Sequence, residues 1–331
     1  NWWGDASGPL NTPYNTCGLG NEVSDHVDFN PWWTTETGGS GTLAIHNTTQ
    51  GTFYCRIQNA IDDAADGDVI EVAAGTYTET LNVTVGVNLK GANAGLVCGD
   101  AGRTAETIIS GSGGAAITIS ADGVTIDGFE ITNPSGSNAI AANGKNDISI
   151  INNIIHGIGN ALLSGNTHAV AITSIAASVS DVIIADNCFS DIHGGETSPA
   201  VSNGSAAAIG VGWSDANNNI TGLVIERNTI SDVHASTIPW ASANKGGKGA
   251  YGIIINTGAT SGSGIAYAPI IQDNVISALD GLWAHGIGLE GKTPGALVSG
   301  NAISNLTDHK ITPDVPDAIG VMVEDNTGAG S

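Results

Sequence analysis

An all-β solenoid of stacked parallel coils is the fold class the sequence predicts, and three observations carry it. Hydrophobic residues make up 41% of the 331 positions, only 5% are aromatic, and 47 are glycine. Small β-branched residues punctuated by Gly and Asn favour short strands and tight turns over helices. From about residue 148 one pattern then recurs: ISIINNIIHGI (148–158), VIIADNCFSDI (182–192), LVIERNTISDV (223–233), PIIQDNVISAL (269–279) and ALVSGNAISNL (296–306). A second family of apolar segments alternates with it: HAVAITS, AAAIGVGW, YGIIINTG, AHGIGLEG and DAIGVMVED. Recurrence with variable spacers is the mark of stacked coils whose insertions loop out at one corner.

Each copy of the first pattern sets an asparagine at the same phase: Asn153, Asn187, Asn228, Asn274 and Asn301. The apolar residue two positions later is Ile155, Phe189, Ile230, Ile276 or Ile303. Inward residues at period two stack on their equivalents in the next coil. Asparagine suits a turn there, because it tolerates left-handed backbone and its amide can bond the next asparagine in a ladder. These five residues therefore read as scaffold, not as catalysts. A doubly wound α/β fold would need amphipathic helices between strands, and none of useful length follows residue 66.

One helix is expected earlier. In YCRIQNAIDDAADGD (54–68), Ile57, Ala60, Ile61 and Ala64 fall on a single stripe. The following DVIEVAAGTYTETLNVTVGVNLKGANAG (68–95) resembles the opening of pectate-lyase-like right-handed β-helix proteins. That resemblance implies a right-handed coil and a short N-terminal amphipathic helix plugging its open end. Elementary physics asks for such a plug, since a bare first coil exposes unpaired backbone and an apolar cross-section.

The chain opens NWWGDASGPL and carries NPWW at 30–33. NWWG…GP with NPWW resembles the segment that closes a secreted β-helix domain after its last coil, yet here it precedes the helix. Residues 1–40 are therefore expected to form an extension that completes a neighbouring or own β-helix end, and 41–331 the β-helix itself. Asn1, Trp2, Trp3, Gly4, Pro9, Trp32 and Trp33 would supply that contact and the final strand would receive it at Val321 and Val323. Two arrangements fit: head-to-tail contact between copies, as separate subunits or tandem repeats, or a fold-back that residues 34–53 would have to bridge. The last coil, DAIGVMVEDNTGAGS, lacks its Asn-bearing partner segment, which favours the first.

Nine Lys plus Arg against 32 Asp plus Glu give a net charge of -23. Nucleic acid and anionic membrane surfaces need a basic face, so neither is an expected partner. No run of about 20 apolar residues exists to span a membrane. The four cysteines lack paired CxxC spacing, which argues against zinc. One disulfide is expected among Cys17, Cys55 and Cys98, while Cys188, in an apolar strand, reads as a small buried hydrophobe. Sequons at Asn47, Asn82, Asn203, Asn219 and Asn305 permit glycosylation in a secreted setting. An exported extracellular or cell-surface protein in mature form is the reading these features share. Calcium near Asp314, Asp317, Glu324 and Asp325 is the one cofactor suggested, without the spacing of a known loop.

The superfamily resembled hosts polysaccharide lyases, hydrolases and epimerases, and fold alone does not decide activity. Lyase chemistry wants an Arg or Lys base and a neutralised substrate carboxylate. Only Arg56, Arg103 and Arg227 exist, and no basic cluster recurs on one strand phase. Hydrolysis wants two facing carboxylates; Asp186, Asp191, Glu226, Asp232, Asp273, Asp280 and Glu290 are the candidates. His193 and His234 share a phase and read as a polar corner ladder, His156 follows its ladder asparagine more closely, and His46, His168, His285 and His309 show no interpretable spacing. Trp213, Trp240 and Trp283 would either stack sugars or bury loops, the second being favoured. The sequence thus leans away from an enzyme, towards a structural surface protein whose copies join end to end into a filament, sheath or stalk. A carbohydrate-active or glycan-binding domain is the alternative.

Overall fold

The computed structural model describes residues 1–12, 14–162, 165–195, 204–212, 218–237, 248–257, 264–309 and 318–324. Three long sheets enclose one apolar interior. Sheet 1 has eight parallel strands, from Leu81–Val83 to Ala318–Glu324. Sheet 2 runs from Val69–Val72 to Leu297–Ser299 and adds a two-stranded cap at its front. Sheet 3 runs from Gly75–Tyr77 to Ala302–Asp308. One passage through sheets 2, 3 and 1 makes a coil. Ile148–Ile151, Ile154–Ile158 and Thr167–Thr173 form one, and Val182–Ala185, Cys188–His193 and Ala206–Gly212 form the next. This is the parallel β-helix that the repeats predict.

Register turns the sequence repeat into columns. Ile126, Ile150, Ile184, Ile225 and Ile271 lie one above another in sheet 2, and all are fully buried. In sheet 3 the column is Ile131, Ile155, Phe189, Ile230 and Ile276. Full burial of such a side chain contributes about 1.5–3 kcal/mol. Each column repeats that gain once per coil.

The corner between sheets 2 and 3 holds the five asparagines. Asn187 Nδ2 donates to Ile150 O at 2.8 Å and to Asn228 Oδ1 at 3.0 Å, and its backbone N–H donates to the same Oδ1 at 3.1 Å. Equivalent bonds run from Asn153 to Asn187, from Asn228 to Asn274 and from Asn274 to Asn301. Each amide pairs peptide groups that the corner would otherwise bury unsatisfied. The left-handed backbone falls one residue earlier than the turn argument placed it. Asn152, Asp186, Arg227 and Asp273 have φ of 58°, 59°, 53° and 55°. The chain bends just before the ladder, leaving the ladder residue free to point inward.

The helix spans Ile57–Asp62 and buries Ile57, Ala60 and Ile61, while Ala64 packs beyond its end. Arg56 gives its N-terminus no side-chain cap. Glu79 does so instead, its two carboxylate oxygens accepting from the N–H groups of Ile57 and Gln58, both at 3.2 Å. A carboxylate is the favoured charge at that end of a helix. An antiparallel hairpin, Ile45–Asn47 with Thr52–Tyr54, covers the edge of Val69–Val72. Plug and hairpin together close the front of the solenoid.

The cysteines correct an expectation. All four are oxidised, as Cys17–Cys55 and Cys98–Cys188. Cys188 is not a core residue, because strand alternation gives the inward position to Phe189 and turns Cys188 outward to meet the loop bearing Cys98.

The ladder generates a stability prediction. Asn187→Ala strands Ile150 O and the N–H of Asn153 in a buried corner, and should cost about 2–4 kcal/mol in urea unfolding. Asn305→Ala, at an exposed position where φ is 53° and only the left-handed preference of asparagine is lost, should cost no more than about 1 kcal/mol.

Candidate functional site

The far end of the solenoid presents its interior to solvent. In sheet 1 the inward column Ile253, Ile287, Val321 goes from 0% and 0% to 44% exposed. The parallel column Ile255, Leu289, Val323 goes from 0% and 2% to 69%. Val298, Ile303 and Leu306 are half-buried where Ile271, Ile276 and Leu279 below them are fully buried. Among the described residues, strands Ala302–Asp308 and Ala318–Glu324 pair along one edge only. Among the described residues Asn301 is the last rung of the ladder, accepting from the N–H and Nδ2 of Asn274 at 3.0 and 2.9 Å. An apolar cross-section rimmed by open strand edges is a template for further pairing.

The N-terminal segment lies at the opposite end, against the hairpin, and residues before Ile45 add no strand to the three long sheets. Trp32, Phe29 and Leu43 form a small core of their own, with Trp3, Tyr14, Val23 and Phe53 packed around it. Trp32 Nε1 donates to Ala6 O at 2.9 Å, and the N–H of Trp33 donates to Asn1 O at 2.8 Å. Gly8 is required at φ 81°, since a Cβ there would sit 2.6 Å from the Trp32 ring. Cys17–Cys55 and the edge-on pair Tyr14–Tyr54, 5.8 Å between centroids, join the segment to the hairpin. The segment does not fold back along its own solenoid. Pro9 and Trp32 are buried within it and Trp2 and Trp3 are half-buried. Asn1, Gly4 and Trp33 are exposed, the last to 46%.

The candidate carboxylates are largely engaged. Arg227 grips Asp186 through Nε and Nη2 at 2.9 and 2.7 Å and also pairs with Glu226. Asp191 meets His193 at 2.9 Å, Asp232 meets His234 at 2.6 Å, and Asp280 meets His309 at 2.6 Å. The His193 and His234 rings stack with centroids 4.9 Å apart, a polar ledge on the outside of sheet 3. His309 reaches it because Ala302–Asp308 lies in register on Val275–Gly281, a placement that no sequence spacing announces. Glu290 is different. It stacks in register with Glu324 and accepts from Asn256 Nδ2 at 2.6 Å, and burial together with Glu324 pushes its carboxyl up to about 7. Asp273 is exposed. No group of three or more His, Cys, Asp or Glu converges as a metal site among the described residues. Asp314, Asp317, Asp325, Trp213 and Trp240 lie outside those residues, and Trp283 donates to Tyr251 OH at 3.0 Å.

The outer face of sheet 1 carries a trough of about 480 Å³, lined by Thr118, Ser120, Asn138, Ala141, Ala171 and Lys145 among others. His168 also lines it, and burial pulls its imidazole down to about 4. Of the sequons, Asn47 is fully buried, its Nδ2 donating to Asp68 Oδ2 at 2.8 Å. Asn82, Asn219 and Asn305 are exposed, and Asn203 lies outside the described residues.

Two groups set opposite pH slopes. His168, depressed from 6.5 to about 4, contributes stability that is present above 6.5 and lost as pH falls towards 4. Glu290, raised from 4.5 to about 7, contributes stability that is present below 4.5 and lost as pH rises towards 7. Urea unfolding across that range should show Glu290→Gln removing a loss of order 1–3 kcal/mol with rising pH, and His168→Gln removing one of similar size with falling pH. A variant that keeps the wild-type slope contradicts the corresponding assignment.

Over 131 residues the chain is 32% identical to a protein named cell surface glycoprotein from Methanothermus fervidus. The match covers 39% of this chain and 20% of that protein, so the chain spans about a fifth of its relative's length. No protein-family model matches the chain, and no solved structure does. No helix among the described residues is long and apolar enough to cross a membrane.

Proposed function

We propose that this chain is a structural unit of an extracellular or cell-surface filament, sheath or stalk, joined end to end with further units of the same kind. The observation that carries this reading is the exposure of Val321 and Val323 at positions that every earlier coil buries. In the proposed joint, the folded N-terminal segment of one unit seats on that cross-section. Asn1, Gly4 and Trp33 offer exposed surface beside the half-buried Trp2, and Pro9, Trp3 and Trp32 hold the segment's shape from within. The next unit is either a separate subunit or a following repeat of one polypeptide, and the contact is heterologous, so it propagates as a fibre where it does not close into a ring. The name of the Methanothermus fervidus relative supports the surface location. The pectate-lyase-like resemblance of residues 54–95 supports a secreted solenoid.

The alternative, a carbohydrate-active or glycan-binding domain, draws on the trough of sheet 1. It is weakened by the carboxylates, since Asp186, Asp191, Glu226, Asp232 and Asp280 are occupied by Arg or His partners.

Negative-stain imaging of the purified chain should show filaments that lengthen with salt, because screening relieves repulsion between units of net charge -23. Val321→Asp with Val323→Asp, and separately Trp33→Ser, should leave single folded rods. Dispersed rods from the unaltered chain at every concentration and ionic strength would sink the assembly. Release of unsaturated or reducing ends from a polysaccharide panel would favour the alternative.

A further inference from the structure

We propose that Asn82 carries an N-linked glycan whose innermost sugars lie in the trough on the outer face of sheet 1. Register puts Asn82 at the head of that trough. Asn82 pairs with Thr118, Thr118 with Ala141, and Ala141 with Ala171. Rungs are ~4.8 Å apart, so a floor of Thr, Ala and Ala leads away from Asn82 along the solenoid axis. Asn138 and His168 line the trough on the N-terminal side of that floor, and Asn143, Thr173 and Lys145 on the C-terminal side.

The acceptor amide is presented for modification. Asn82 and Thr84 are both exposed and complete the Asn-Val-Thr sequon. Ser120 Oγ donates to Asn82 Oδ1 at 2.7 Å, and Nδ2 has no hydrogen-bond partner among the described residues. One end of the amide is fixed and its nitrogen is left over. Asn47 makes the contrast: its Nδ2 is tied to Asp68, and its Oδ1 accepts from the N–H groups of Thr49 and Gln50. A sugar there would have to break a buried network.

The lining suits a saccharide. Amides, hydroxyls and an ammonium match sugar hydroxyls as donors and acceptors, while the alanine floor accepts the C–H face of a pyranose ring. A volume of about 480 Å³ lies within the range of small-ligand sites. Attachment follows the usual balance. Asn82 Nδ2 bonds to the anomeric carbon of a lipid-linked glycosyl phosphate donor, the bond from that carbon to the phosphate oxygen breaks, and the lipid phosphate leaves as the amide gives up one proton.

The inference needs an exported chain but no end-to-end joint, so filament assays and this test fail independently. The protein is purified from its producing cells, its Asn82 and Asn47 peptides are weighed by mass spectrometry, and glycan release by a glycosidase is timed. A sugar mass on Asn82 and none on Asn47 is expected, with release ~10-fold slower from native than from denatured protein. Ala171→Trp, which fills the trough, should bring native release up to the denatured rate. A bare Asn82 overturns the proposal. So does equal release from native and denatured wild type, which needs no variant to fold.

Discussion

Exact coil-on-coil register is the constraint on which the rest of the structure depends. A parallel solenoid has no tertiary packing beyond its neighbours, so each coil must repeat the one below in every inward position. Two interactions hold that repetition. Apolar columns such as Ile126 to Ile271 supply most of the burial, and the asparagine ladder fixes the phase. A slip of one residue would turn every inward side chain out and break each rung of the ladder at once. Leucine in place of a ladder asparagine could fill the volume but could not satisfy the peptide groups of the corner.

The coil was legible because its periods are chemical. Asn153, Asn187, Asn228, Asn274 and Asn301 share a phase with Ile155, Phe189, Ile230, Ile276 and Ile303, and the structure sets each set in one column. The capping helix was legible from one stripe, although its N-terminus is capped by Glu79, some twenty residues on. What escaped was whatever depends on which loop meets which coil. Successive ladder residues are separated by 34, 41, 46 and 27 positions, so loop lengths conceal the vertical alignment of side chains outside the repeat. Cys98 with Cys188 and His309 with Asp280 are of that kind.

The two ends of the molecule obey opposite rules. At the front, helix, hairpin and a disulfide-linked segment cover the first coil, and that segment has its own core around Trp32. At the back, interior positions of sheet 1 face solvent. Between these ends Asp186 pairs with Arg227, and Asp191, Asp232 and Asp280 pair with His193, His234 and His309. The asymmetry of the molecule runs along its axis.

The Cys98–Cys188 bridge has a mechanical meaning. It closes a span of 90 residues across several coils, so those coils are joined crosswise by a covalent bond as well as in series by the chain. Tension applied along the axis would peel unbridged coils one at a time, each giving up only its own hydrogen bonds. On reaching the bridged block, the pull would meet sulfur before it could lengthen the chain, and the extension recoverable from that block would be capped.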